Sequence, residues 1–146
     1  MSGLPCRIAI SGPGGPEVLM REDFTPAAPG PGELLVRNAA VGVNFLDTYY
    51  RSGLYPRSYP CGLGNESAGV VQAVGQGVAG FAVGDRVACL ADNGYATHVL
   101  ARADRSFRLH DAMAMEDAAA ILIKGLTAWM LAEGVRPVRP GMRVLV

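Results

Sequence analysis

Glycine and proline punctuate this chain at short intervals from Gly3 to Gly94, and no long helix can form between them. The sequence carries 19 glycines and 10 prolines in 146 residues. Proline removes an amide donor and fixes φ, and glycine favours tight turns and left-handed backbone. The chain over about residues 1–110 is therefore expected to consist of short strands and turns. The segment "TPAAPGPGE" (25–33) is excluded from both helix and central strand and reads as a rigid connection.

Between the punctuation lie strand-like runs. "PCRIAI" and "PEVLMRE" read as short strands separated by "SGPGG". "LLVRNAAVGV" reads as a buried strand. "AGVVQAVG", "DRVACL" and "SFRLH" follow as further strands. Asp92-Asn93-Gly94 is a strong hairpin signal and is expected to join "VACL" to "YATHVLA". One segment changes period. In "NFLDTYYRSG", Asn44 can cap a helix, Asp47 sits three residues on as in a capping box, and Gly53 supplies a left-handed stop. A helix of about two turns is expected there.

After Asp111 the character changes. "AMAMEDAAAILIKGLTAWMLAEG" lacks proline, and Leu122, Leu126 and Trp129 fall on one helical face. Gly125 is expected to mark a joint between two helical segments and Gly134 to end the second. Pro140-Gly141 then turns into a strand over Met142–Val146. A β-rich body, then helices, then one strand is how an α/β layer begins, and a βαβ unit needs about 30 residues. Only the start of such a unit is present.

Composition narrows the function classes. Half the residues are hydrophobic and 18% are charged, as in a well-cored domain. Thirteen basic residues balance thirteen acidic ones, with no basic run, so no nucleic-acid partner is expected. No uninterrupted apolar run reaches the ~18 residues of a membrane span, and no membrane partner is expected. "MSGLPCRIAI" does not resemble a signal peptide, so a cytoplasmic location is expected. Cys6, Cys61 and Cys89 are odd in number and widely spaced, which suits reduced thiols. With His98 and His110 they offer no paired metal-ligand spacing, so no metal residues are expected.

Three segments could carry chemistry. Asn44–Tyr55 gathers Asn44, Asp47, Tyr49, Tyr50, Arg51 and Tyr55 at a strand-to-helix corner. These residue types fit a helix cap with half-buried tyrosines more simply than they fit a wall for a flat aromatic ligand. Gly62–Val78 carries Gly64, Gly69 and Gly75, whose spacing suits strand bulges better than a phosphate loop. Glu66 within that apolar run needs a partner or a function. Lys124–Leu131 places Thr127 and Met130 on one face of an amphipathic helix, one turn apart.

These pieces occur together and in this order in one family. On "GGPEVL" (14–19), "GVNFLDTYYRSGLYP" (42–56), "GLGNESAGVV" (62–71), "GDRV" (84–87) and "KGLT" (124–127), the chain resembles the N-terminal part of the medium-chain dehydrogenase/reductase superfamily. Within it, the chain is most similar to the NADPH:quinone oxidoreductases of the zeta-crystallin type. The resemblance implies a mainly β fold. A GroES-like partly closed β-barrel would span residues 1–125, and residues 126–146 would begin a truncated Rossmann domain. It implies Asn44, Asp47, Tyr49 and Tyr55 as catalytic or substrate-bordering residues. Asn44, Phe45, Leu46, Asp47, Thr48, Tyr49, Thr127 and Met130 would border NADPH.

The departures from the wider superfamily also matter. Zinc alcohol dehydrogenases have Gly-His-Glu where this chain has Gly64-Asn65-Glu66, and Asn44 stands at the position of their first catalytic cysteine. Amides do not replace imidazole and thiolate at zinc, and the four-cysteine structural lobe is missing. A zinc-free enzyme is implied, passing hydride from NADPH to a quinone. The 146-residue chain alone is expected to be inactive, and its parent to dimerise through the domain it lacks. A zinc-free enoyl reductase and a non-catalytic GroES-like module are the alternatives. Met142–Val146 is then expected to be disordered or to pair with a neighbouring chain.

Overall fold

The computed structural model describes residues 3–145. Among the described residues, eight strands form two sheets. A three-stranded sheet has the order β2 (Met20–Asp23), β1 (Cys6–Ile10), β4 (Cys61–Gly62). A five-stranded sheet has the order β7 (His98–Arg102), β3 (Glu33–Val41), β5 (Glu66–Val74), β6 (Arg86–Leu90), β8 (Ser106–Arg108). Every pairing is antiparallel. Residues 95–97 link the sheets: Ile8 N–H donates to Tyr95 O at 2.7 Å and Thr97 N–H to Cys6 O at 2.8 Å. The result is a partly closed barrel.

The barrel interior is filled by alternate residues of the larger sheet. Leu34, Val36, Val71, Val87, Cys89, Val99 and Ala101 form its core. Strand β5 is covered on both faces, because α2 (Met115–Trp129) lies on its outer side. There the packing uses small side chains, Ala68 and Ala88 against Ala118 and Ala119. At Gly69, β3 comes so close that a Cβ would collide with the Arg37 carbonyl. The β3–β5 register shifts at this place, between Asn38 and Ala40, so this glycine stands at a bulge, as its spacing suggested.

Several expected elements differ. Pro16–Val18 forms a 3₁₀ turn, and only Met20–Glu22 of "PEVLMRE" is strand, which runs on to Asp23. Proline at the start of a helical turn is pre-set for it. Asn93 does take left-handed backbone, φ 62°, but Asp92–Gly94 does not close a hairpin. Strand β7 pairs with β3, while β6 lies between β5 and β8. The residues after the turn are drawn away by their bonds to β1.

Gly125 lies inside α2, which runs through it unbroken. The stripe facing the sheet is Met115, Ala118, Ala119 and Leu122, whereas Trp129 is exposed. From Met130 to Val135 the helix continues as a π-helical segment containing Gly134. The combined run of 21 residues, mean hydropathy 1.4, matches a membrane span in length and composition. Its inner stripe is nevertheless built onto the sheet, and Lys124 is tied to Glu66. Residues 142–145 form no strand and lie exposed, contrary to the strand expected there. Val146 lies outside the described residues.

Candidate functional site

The site is built where β3 runs out over β5 and α2. Gly42 is buried, and its N–H donates to Glu66 O at 3.0 Å. A Cβ there would strike the Glu66 side chain and the Ala119 carbonyl, so the chain can leave β3 this way only with glycine. Asn44 follows in extended backbone and opens α1 (Phe45–Ser52), which ends at Gly53 with φ 79°. Both helix boundaries fall where the capping residues predicted them.

Two buried carboxylates organise the corner. Asp47 is 3% exposed. Its Oδ2 accepts from Asn44 N–H at 2.9 Å and from Tyr95 Oη–H at 2.8 Å, and its Oδ1 accepts from Asn65 Nδ2 at 2.6 Å. The Asn44 contact is the Asp47 half of the expected capping box. Glu66 is 0% exposed. Its Oε1 accepts from Asn44 Nδ2 at 2.8 Å and from Lys124 Nζ at 3.2 Å, and its Oε2 accepts from Ile123 N–H at 2.6 Å. Lys124 Nζ also donates to Asn44 Oδ1 at 2.8 Å. Asn44 thus stands between a buried carboxylate and a half-exposed ammonium, and its backbone N–H reaches the second carboxylate. Burial, then the hydrogen bond to Asp47 and the charges of Asp47 and Glu66, push the Tyr95 phenol up. Tyr95 therefore acts as a hydrogen-bond donor, not as an acid, near neutral pH.

The aromatic residues sit further along α1. Tyr49 and Tyr55 are 38% and 46% exposed and meet edge to face, with ring centroids 5.4 Å apart. Tyr50 meets Tyr55 in the same way at 5.9 Å, and the Arg57 guanidinium lies over the Tyr50 ring, 4.0 Å from its centroid. Phe45 projects outward, 82% exposed. Thr48 Oγ1 donates to Phe45 O at 2.6 Å, and on α2 Thr127 Oγ1 donates to Ile123 O at 2.8 Å. Both threonine oxygens keep lone pairs free to accept. Leu46 is half-buried and Met130 is exposed. Thr127 on α2 and Met130 at the start of the π-helical segment lie beyond Lys124, whose tie to Asn44 brings that end of α2 beside the start of α1.

The structure thus draws Asn44 and Asp47 into one network and Tyr49 and Tyr55 into another. Asp47, expected among the catalytic residues, has both oxygens engaged inside the protein. Tyr95 and Lys124 are full members of the network that the sequence did not single out. A signal for Lys124 existed: it is the only charge between Asp117 and Glu133 and the only lysine of the chain. A buried Glu66 calls for such a cation. Among the described residues, no group of three or more His, Cys, Asp or Glu side chains could hold a metal ion.

Comparison with known proteins agrees with this fold. The model of the alcohol dehydrogenase GroES-like domain matches residues 30–115. A quinone oxidoreductase of Pseudomonas aeruginosa is 48% identical over 95% of this chain and 44% of its own length. Quinone oxidoreductase from Pseudomonas syringae superposes with a TM-score of 0.90, at 48% identity over 94% of this chain and 43% of that one. Escherichia coli quinone oxidoreductase complexed with NADPH superposes with a TM-score of 0.87, at 43% identity over 92% and 42%. The chain therefore spans less than half the length of these relatives. It belongs to the family of alcohol dehydrogenase GroES-like domains.

Proposed function

We propose that this chain forms the substrate-side domain of a zinc-free reductase that passes hydride from NADPH to a quinone. Residues 1–125 form that domain, and residues 126–146 lead into a nucleotide-binding domain. The observation that carries the reading is the network at Asn44. Where zinc alcohol dehydrogenases have cysteine and histidine, Asn44 and Asn65 are held by hydrogen bonds to Glu66 and Asp47. The cation there is the Lys124 ammonium. The high identity to quinone oxidoreductases supports the same substrate class.

The residues present fit the nicotinamide end of NADPH. Phe45 and Tyr49 offer exposed aromatic faces, Met130 an apolar side chain, and Thr48 and Thr127 acceptor lone pairs suited to a carboxamide. Asn44 keeps one Nδ2 hydrogen beyond the one given to Glu66. Leu46 backs this wall. The pyrophosphate would need a glycine-rich helix N-terminus, which the described residues do not contain. When bound, NADPH supplies the hydride, and the quinone takes it up with a proton to become the hydroquinone. The chain's own residues orient and exclude water. Tyr49 and Tyr55 border the flat substrate. Asp47 acts from behind, by holding Asn44.

The test joins this chain to the nucleotide-binding domain of the P. aeruginosa relative and follows NADPH oxidation with 1,4-benzoquinone. Turnover by the joined protein is expected, and none by the 146-residue chain alone. Reduction of an enoyl thioester with quinones left untouched would overturn the substrate assignment.

A further inference from the structure

Lys124 is the chain's only lysine, and its ammonium has three hydrogens to give. They are directed at Asn44 Oδ1 (2.8 Å), Glu66 Oε1 (3.2 Å) and Val43 O (3.5 Å). None is left over for a substrate oxygen, so Lys124 is not built to act as an electrophile. Its effect falls on Asn44. An ammonium only donates and an ionised carboxylate only accepts. The Asn44 side chain therefore has one orientation that satisfies both neighbours, with Oδ1 to Lys124 and Nδ2 to Glu66. Flipping the amide would set its NH₂ against the ammonium and its oxygen against the carboxylate. The remaining Nδ2 hydrogen, which has no partner among the described residues, is thereby aimed in one direction.

We propose that Lys124 is a positioning residue: it locks the Asn44 amide so that its free N–H is presented to the carbonyl of the bound substrate or nicotinamide. The catalytic consequence rests on the reductase reading, but the lock itself does not. Glu66 fixes one end of the amide and Lys124 the other, and the same ammonium supplies the cation that a buried Glu66 requires.

Two measurements test this. The first uses the 146-residue chain, labelled with ¹⁵N at lysine and asparagine. A single Lys124 ammonium signal with slowed exchange is expected, together with protected Asn44 side-chain protons. Because Lys124→Met leaves Glu66 alone and can prevent folding, the informative variant is Lys124→Met with Glu66→Gln, which removes both charges. In it, Asn44 protection should fall about tenfold or more, whereas Lys124→Arg should keep it. Unchanged protection in the double variant overturns the proposal. The second uses the joined protein. There the double variant Lys124→Met with Glu66→Gln should lower kcat about tenfold with the KM for NADPH changed less than about twofold, and Lys124→Arg should keep most of the wild-type rate. Equal activity of the double and Arg variants also overturns it. If the wild-type joined protein reduces no quinone, the functional reading fails and the exchange measurement still decides the role of Lys124.

Discussion

Asn65 donates to Asp47 at 2.6 Å, which ties the residue before β5 to the first turn of α1. The same carboxylate takes the Tyr95 hydroxyl and the Asn44 backbone N–H. Asp47 is thus an acceptor for three separate pieces of chain. Asp47→Asn would keep the size but replace one acceptor oxygen with a donor. At least one buried donor would lose its partner, at a cost of about 1–3 kcal/mol. Urea unfolding of the variant should show a midpoint lowered accordingly. A midpoint equal to wild type would mean that the corner is held by its packing alone.

Tyr95 gives a pH signature from the same carboxylate. Its phenol is pushed up from the ordinary tyrosine value near 10.0, first by burial and then by Asp47. The folded state therefore holds this proton more tightly than the unfolded state does. The resulting stability is complete below pH 10.0 and is lost as pH rises through the higher folded value. Tyr95→Phe removes that dependence. The difference in melting temperature between wild type and variant should narrow above pH 10. A gap that stays constant across the alkaline range would contradict the assignment.

Two glycines make opposite predictions. A methyl group at Gly42 would meet Glu66 and the Ala119 carbonyl, one in a charged network and the other backbone. Gly42→Ala should destabilise by about 1–3 kcal/mol and disturb the Lys124 contacts. At Gly125 the nearest atom to a new Cβ is Ile121 Cγ1 at 3.5 Å, an ordinary contact. Gly125 sits inside α2, so Gly125→Ala should stabilise by about 0.5–1 kcal/mol through helix propensity. Thermal unfolding of the two variants should shift in opposite directions.

What the sequence revealed depended on how far apart the interacting residues lie. Helix α1 was legible to the residue, because Asn44 and Gly53 set its ends through local backbone chemistry. The β-rich body was legible in the turn spacing, and the GroES-like barrel only through family resemblance. The hairpin at Asn93 was misread, since the turn is local but strand partnership is not. Residues 95–97 bond to β1, far away in sequence, and that decides where β7 goes. The Glu66–Lys124 contact spans 58 positions. Glu66 showed itself as a charge in an apolar strand, but nothing local named its partner. In the same way Tyr95, 48 positions from Asp47, looked like an ordinary residue after a turn.

Arg57 offers the last prediction, on substrate rather than stability. Its guanidinium lies over Tyr50, 4.0 Å from the ring centroid, and donates from Nη1 to Gly62 O at 3.2 Å. Tyr50 in turn meets Tyr55, and Tyr55 meets Tyr49. Arg57 is mostly buried, so this stack is not screened as a surface pair would be. A cation over an aromatic face contributes about 0.5–2 kcal/mol. The chain of rings transmits that order to the two tyrosines proposed to border the quinone. Arg57→Met keeps the apolar stem but removes the cation and its bond to Gly62. In the joined protein it should raise the KM for 1,4-benzoquinone about threefold to tenfold and leave the KM for NADPH nearly unchanged. A rise in both constants together would instead mean that the loop from Tyr55 to Gly62 had lost its fold. No change in either would remove Tyr49 and Tyr55 from the substrate wall.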